Sequence, residues 1–191
     1  MLYIKFNIQD EQQFKDFQQV YEHMVRTRQP NFEFEETEEY EIDWENMSQK
    51  VIEELLAKQN NEPEPEVKRY NNLFPKYADA FLKKYIKTDK EIAGAYGFDI
   101  KGIFNYLEYS FEVDFDSLER INNSIGVLEF STGNYPFGGL ERMIMTLKSF
   151  GLFSSECFDG FNVVNFEWSS EFNYTAIIND EKTKLYKQNK S

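Results

Sequence analysis

The chain has one cysteine, one histidine, five prolines and nine glycines among its 191 residues, and each scarcity excludes something. Cys157 alone cannot close an internal disulfide, so no covalent framework holds the fold. With His23 as the only other soft donor, a tetrahedral zinc site has no ligand set. A Ser–His or Cys–His pair would have to use His23, which we place off the apolar arc of its helix and expect at the surface. No G-x-S-x-G elbow presents a nucleophile. Few prolines and glycines, with 41% hydrophobic residues, argue against disorder.

Long apolar runs are also missing. No stretch approaches the roughly 18 residues that a membrane span needs. The opening MLYIKFNIQDEQQ lacks a charged segment followed by an apolar one, so no secretory signal is read there. A cytoplasmic protein is expected, with no membrane association and no cofactor.

Aromatic residues are abundant: nineteen Phe, twelve Tyr and two Trp. Each ring buries a large area, so a substantial core is within reach. Negative charge is also plentiful, and uneven. Residues 1–66 contain 17 acids and 6 bases, a balance of −11 within a total of −13, whereas residues 67–101 are net basic. Such a field disfavours nucleic acid and anionic membranes and favours a basic protein partner.

Periodicity predicts a strand over 2–8 and then a helix from Asp10 to about Gln29, opened by a capping box of Asp10 with Gln13 and closed before Pro30. FEFEETEEYEIDWE (32–45) holds eight carboxylates. Its rings fall mainly on even positions and its acids on odd ones, which predicts strands with an aromatic face and a carboxylate face. A helix is expected over about 45–58, then a polar linker KQNNEPEPE at 58–66. A second helical region at 67–87 is started or kinked by Pro75, and a capping box of Thr88 with Glu91 opens a short helix. Strands are expected at 107–115, 125–131, 161–168 and 172–178, with a helix over 139–150 stopped by Gly151. The whole reads as a single α+β domain, 1–191, with a mixed or mainly antiparallel sheet and helices packed on one side. If the chain divides, it divides at 58–66, into an acidic N-terminal region (residues 1–58) and a helical, then strand-rich, region (residues 67–191).

Carboxylates at alternate strand positions lie about 6.6 Å apart, a spacing broadly like that of phosphates along one DNA strand. Glu33, Glu35, Glu39, Glu41 and Asp43 are therefore the expected contacts for a basic protein. The alternative is a solvated edge that discourages aggregation. The loop STGNYPFGGLER (131–142) offers Tyr135 and Phe137 to a partner. Gly138, Gly139 and Arg142 are candidates for a small anion at a helix start, although the phosphate-loop Lys and Ser/Thr are absent. Lys76, Lys83 and Lys87 form a basic stripe read as a solvated face. Asp114, Asp116, Glu129 and Glu141 are the residues that a carboxylate enzyme, with or without a divalent metal, would use. No catalytic or metal-ligating residue is assigned. The expected function is non-catalytic protein binding, in the manner of an acidic inhibitor or immunity-type protein.

Overall fold

Alternation in LYIKFN makes a strand with one wholly buried face. The computed structural model, which describes residues 2–34, 47–61, 65–88, 100–109, 113–131 and 139–189 (without the side chains of 57–61 and 101), puts this strand, β1 (Leu2–Asn7), inside the sheet. The other described strands are β2 (Asp114–Asn122), β3 (Ile125–Ser131), β4 (Phe153–Phe158), β5 (Val163–Trp168) and β6 (Tyr174–Ile178). They form one six-stranded sheet in the order β2-β3-β1-β4-β5-β6, antiparallel throughout. Ile4 lies opposite Leu128 on one side and Cys157 on the other. The first strand of the chain therefore pairs with two strands from beyond 58–66, and the regions before and after that stretch contribute to one hydrophobic core.

The described helices are α1 (Glu11–Thr27), α2 (Gln49–Asn61), α3 (Pro65–Leu73), α4 (Lys76–Thr88), α5 (Ile100–Tyr109), α6 (Leu140–Ser149) and α7 (Asp180–Asn189). Asp10 caps α1 by accepting from the backbone N–H groups of Gln12 and Gln13 at 2.8 and 3.0 Å. Phe14 of α1 then packs 6.3 Å from Phe6, on the Leu2–Ile4–Phe6 face of the sheet. That contact needs space on β3. A Cβ on Gly126 would sit 2.5 Å from the Phe6 ring, so only glycine fits. Helix α6 ends in a Schellman motif: Gly151 takes φ +70°, its N–H donates to the carbonyl of Lys148, and Leu152 N–H donates to that of Leu147. Pro75 begins α4, its carbonyl accepting from Ala78 and Asp79.

Helices α1 and α6 lie on the core face, and α3, α4 and α5 pack around them. The C-terminal helix α7 departs from the one-sided arrangement and lies against the opposite face. There Tyr186 packs 5.3 Å from Tyr3 and 4.5 Å from Phe158, and Thr183 Oγ1 accepts from Val163 N–H at 2.8 Å.

Two local expectations are corrected. The 107–115 segment is not one strand: residues up to Tyr109 close helix α5, because Ile103, Phe104 and Leu107 recur at helical spacing and are buried, and the strand begins at Asp114. The described residues of the polar 58–66 stretch are helical, α2 running to Asn61 and α3 starting at Pro65. Thr88 ends α4, its hydroxyl donating back to the Lys84 carbonyl. The helix expected after it lies outside the described residues.

Candidate functional site

His23 follows Val20 by three residues and adjoins Met24, and this places it within the buried arc of α1. The surface position expected for it is therefore wrong: the residue is 6% exposed. Its Nε2 lies 2.7 Å from Oε1 of Glu108, and its Nδ1 lies 3.1 Å from Nη2 of Arg26. A guanidinium only donates, so Nδ1 accepts and Nε2 carries the proton that it donates to Glu108. Both ring nitrogens are engaged by protein groups.

Glu108 comes from α5, and its side chain is fully buried. Arg69 of α3 grips it with a two-pronged pair, Nε to Oε1 at 2.7 Å and Nη2 to Oε2 at 2.8 Å. Burial alone would raise the carboxyl's pKa, but the hydrogen bonds from Arg69 and His23 outweigh it and hold the group below the usual carboxylate range. Nearby, Arg28 donates to the carbonyls of Met24, Leu107 and Val113 at 2.7–2.9 Å, tying the end of α1 to the end of α5 and the approach to β2.

The described start of the acidic segment, residues 32–34, lies at this cluster. Pro30 and Asn31 reverse the chain after α1, with Asn31 in the left-handed region at φ +65°. The turn carries Phe32 to 5.8 Å beneath the Arg26 guanidinium and Phe34 to 4.0 Å from that of Arg69. Phe34 also packs on Phe32 (4.9 Å) and Tyr109 (5.2 Å), whose hydroxyl accepts from Arg69 Nη2 at 2.8 Å. Between the two rings Glu33 is exposed. Residues 32–34 are not a strand. Glu35, Glu39, Glu41 and Asp43, with the strands expected there, lie outside the described residues.

The second candidate is the start of α6. Tyr135, Phe137 and Gly138 lie outside the described residues, whereas Gly139 and Arg142 are described. Gly139 caps α6 at φ +70° with no side-chain hydrogen bond. The space beside its Cα is filled by Tyr106, whose ring would stand 2.4 Å from an added Cβ. Arg142 stacks 5.3 Å over that ring. Glu141, in the first turn, accepts from Tyr174 and, at 3.5 Å, from Tyr85. Close packing of Tyr106 accounts for the glycine, and a carboxylate occupies the first turn, where an anion would meet like charge.

The carboxylates of the enzyme reading are dispersed. Asp114 and Asp116 are exposed on β2, Glu129 accepts from Ser117 at 3.1 Å, and Glu141 is held at the α6 start. Among the described residues no three His, Cys, Asp or Glu side chains come together as a metal site. No described helix is long and apolar enough to cross a membrane. Lys83 of the basic stripe pairs with Asp79 at 2.7 Å.

Two further buried polar groups had no sequence signal. Glu156 on β4 accepts from Tyr3 at 2.9 Å, from Lys5 at 3.0 Å and from Lys182. Lys148 of α6 sets its ammonium 3.3 Å from the Trp168 ring centre, with burial pushing it down to about 8.

Cys157 is fully buried, and burial pushes its thiol up to about 12, from an ordinary 9.0. The thiolate fraction falls accordingly by roughly a thousandfold. Native protein mixed with an aromatic disulfide reagent at pH 8 should react at least that much more slowly than urea-unfolded protein. Comparable rates would show that the thiol is accessible.

No known family model, curated protein or solved structure is detectably similar to the chain.

Proposed function

We propose that this chain is a non-catalytic binding domain that presents its acidic segment to a basic protein, as an inhibitor or immunity-type protein does. The observation that supports this reading is the clamp at the segment's root. Arg69 and Arg26 hold Phe34 and Phe32 against the body of the protein while Glu33 between them faces solvent. Anchored rings and an outward acid are what a carboxylate-bearing surface requires at its first residues. Its charge supports the same reading, because the balance of −11 over residues 1–66 steers a cationic partner towards this end of the chain. The two conventional reactive side chains, His23 and Cys157, both point inward. Tyr135 and Phe137 are proposed as additional contacts.

The test is a fourfold reversal, Glu35→Lys, Glu39→Lys, Glu41→Lys and Asp43→Lys, in the full chain. Wild-type protein used as bait in lysate at low salt should recover a basic protein that is released at high salt. The purified partner should associate with the variant roughly 10- to 100-fold more slowly, with the variant's thermal unfolding unchanged. Equal association rates for the two proteins would overturn the proposal.

A further inference from the structure

The two edges of the sheet are built differently. Edge strand β2 carries Asp114, Asp116, Glu119 and Arg120, and its register slips twice, between Phe115 and Ser117 and between Arg120 and Asn122. Charges and bulges are how proteins keep an edge from pairing with another chain. Edge strand β6, YTAII, has no charge, no proline and an unbroken register against β5. The uncharged run extends from Phe172 to Asn179, on a chain of net charge −13.

The hydrogen bonding fixes which backbone groups β6 offers. Asn179 N–H donates to Val163, and Ser169 N–H donates to Asn173. In an antiparallel ladder these alternate, so residues 175 and 177 bond to β5, whereas the N–H and C=O groups of Tyr174, Ala176 and Ile178 point to the far side. Among the described residues no element pairs with that side. Residues 175–178 are exposed, Ile178 by 56% and Ile177 by 42%.

We propose that β6 docks a second copy of this chain, antiparallel, about a two-fold axis through Ala176. In that register Ala176 faces Ala176 of the second copy, and Tyr174 faces Ile178 at both ends. Every outward group finds a partner, giving about six interchain hydrogen bonds. The aromatic–β-branched pairs formed across the axis are a favourable cross-strand combination and cover the exposed Ile178. Self-pairing of two strongly acidic molecules is opposed wherever charged surfaces meet, and the stretch from Phe172 to Asn179 is where no like charges are set opposite each other. An isologous contact of this kind closes on itself and stops at the dimer.

The charge also separates this interface from recognition of a basic partner. Added salt screens the repulsion between two acidic copies and strengthens the dimer, whereas it weakens an acid–base complex. Sedimentation of the full chain over a wide concentration range should show the 22.8 kDa monomer giving way to a dimer at high concentration, at lower concentration in high salt. Ala176→Pro removes only an outward N–H and should abolish the dimer. Ala176→Lys and Ala176→Glu each set like charges across the axis on a side chain that is exposed in the monomer. Each should be monomeric alone, and a mixture of the two should form the heterodimer. That rescue keeps the test decisive should the proline variant fold poorly. A wild type that is monomeric at every concentration overturns the proposal and leaves the edge to a strand from another protein. A dimer unaffected by all three substitutions overturns it as well, because its interface then lies elsewhere.

Discussion

Glu108→Ala should cost about 3–5 kcal/mol of folding stability, the usual consequence of removing one partner from a buried charge pair. The carboxylate accepts from His23 and twice from Arg69, and its side chain has no exposure to water. Without it, the Nε2 proton of His23 faces an apolar cavity beside Phe104, which stacks on the imidazole at 6.3 Å. Arg69 is partly exposed and keeps Tyr109, so most of the loss falls on His23 and on the space vacated. Glu108→Gln retains the volume and a hydrogen-bond acceptor, and should cost about half as much. Urea unfolding followed by circular dichroism measures both, and a loss below about 1 kcal/mol for the alanine variant would show that the pair contributes little. The pH dependence gives a second readout. A carboxyl whose folded pKa lies below its ordinary value of 4.5 contributes stability that is fully present above that value and is lost as pH falls through the folded pKa. Wild-type protein should therefore lose stability more steeply than Glu108→Ala below about pH 4.5.

The sheet was largely legible because its strands carry their own signal. LYIKFN and IGVLEFS alternate with one face wholly buried, and a period of two has no competing reading there. The same reasoning failed at LEYSFEVDF. Leu107 and Tyr109 match a strand's alternation, yet Leu107 also completes the helical set of Ile103 and Phe104, and tertiary burial of that set decided the outcome. Strand β4 was missed because SSEC places two serines and a glutamate where a central strand usually has apolar residues. Glu156 is tolerated there because Tyr3, Lys5 and Lys182 converge on it from strand β1 and helix α7.

The candidate site was legible by halves. Alternation marks Phe32 and Phe34 as rings that hold the segment down beside an outward Glu33, and both rings do pack on the body of the protein, although from a turn rather than a strand. What holds them was not legible. His23, Arg69 and Glu108 are separated by tens of residues, and no spacing rule joins them. The available sign was local: His23 falls at helical spacing from Val20, and a polar residue on a buried arc needs partners.

Phe150→Ala should be about as costly, at roughly 3–5 kcal/mol, for a reason that involves no charge. Phe150 caps α6, is fully buried, and packs against Phe17 at 5.6 Å, Phe74 at 5.3 Å and Tyr77 at 6.3 Å. From Phe74 the contacts continue to Tyr70 at 4.5 Å and Phe104 at 6.1 Å, and Phe104 is the ring stacked on His23. The ring therefore joins α1, α4, α6 and the turn between α3 and α4. Pairing Phe150→Ala with Phe17→Ala should give a double variant less destabilised than the sum by about 0.5–1.5 kcal/mol, the share due to the ring–ring contact. Strict additivity would mean that the two rings merely fill volume independently. The same variant also separates fold from function. Phe150 is remote in sequence from the acidic segment and shares no contact with Phe32 or Phe34, so folded Phe150→Ala should bind a basic partner with unchanged affinity while unfolding at much lower urea. The fourfold charge reversal should do the opposite, and a binding defect in Phe150→Ala at full folding would place recognition on the helical layer instead of on the carboxylates.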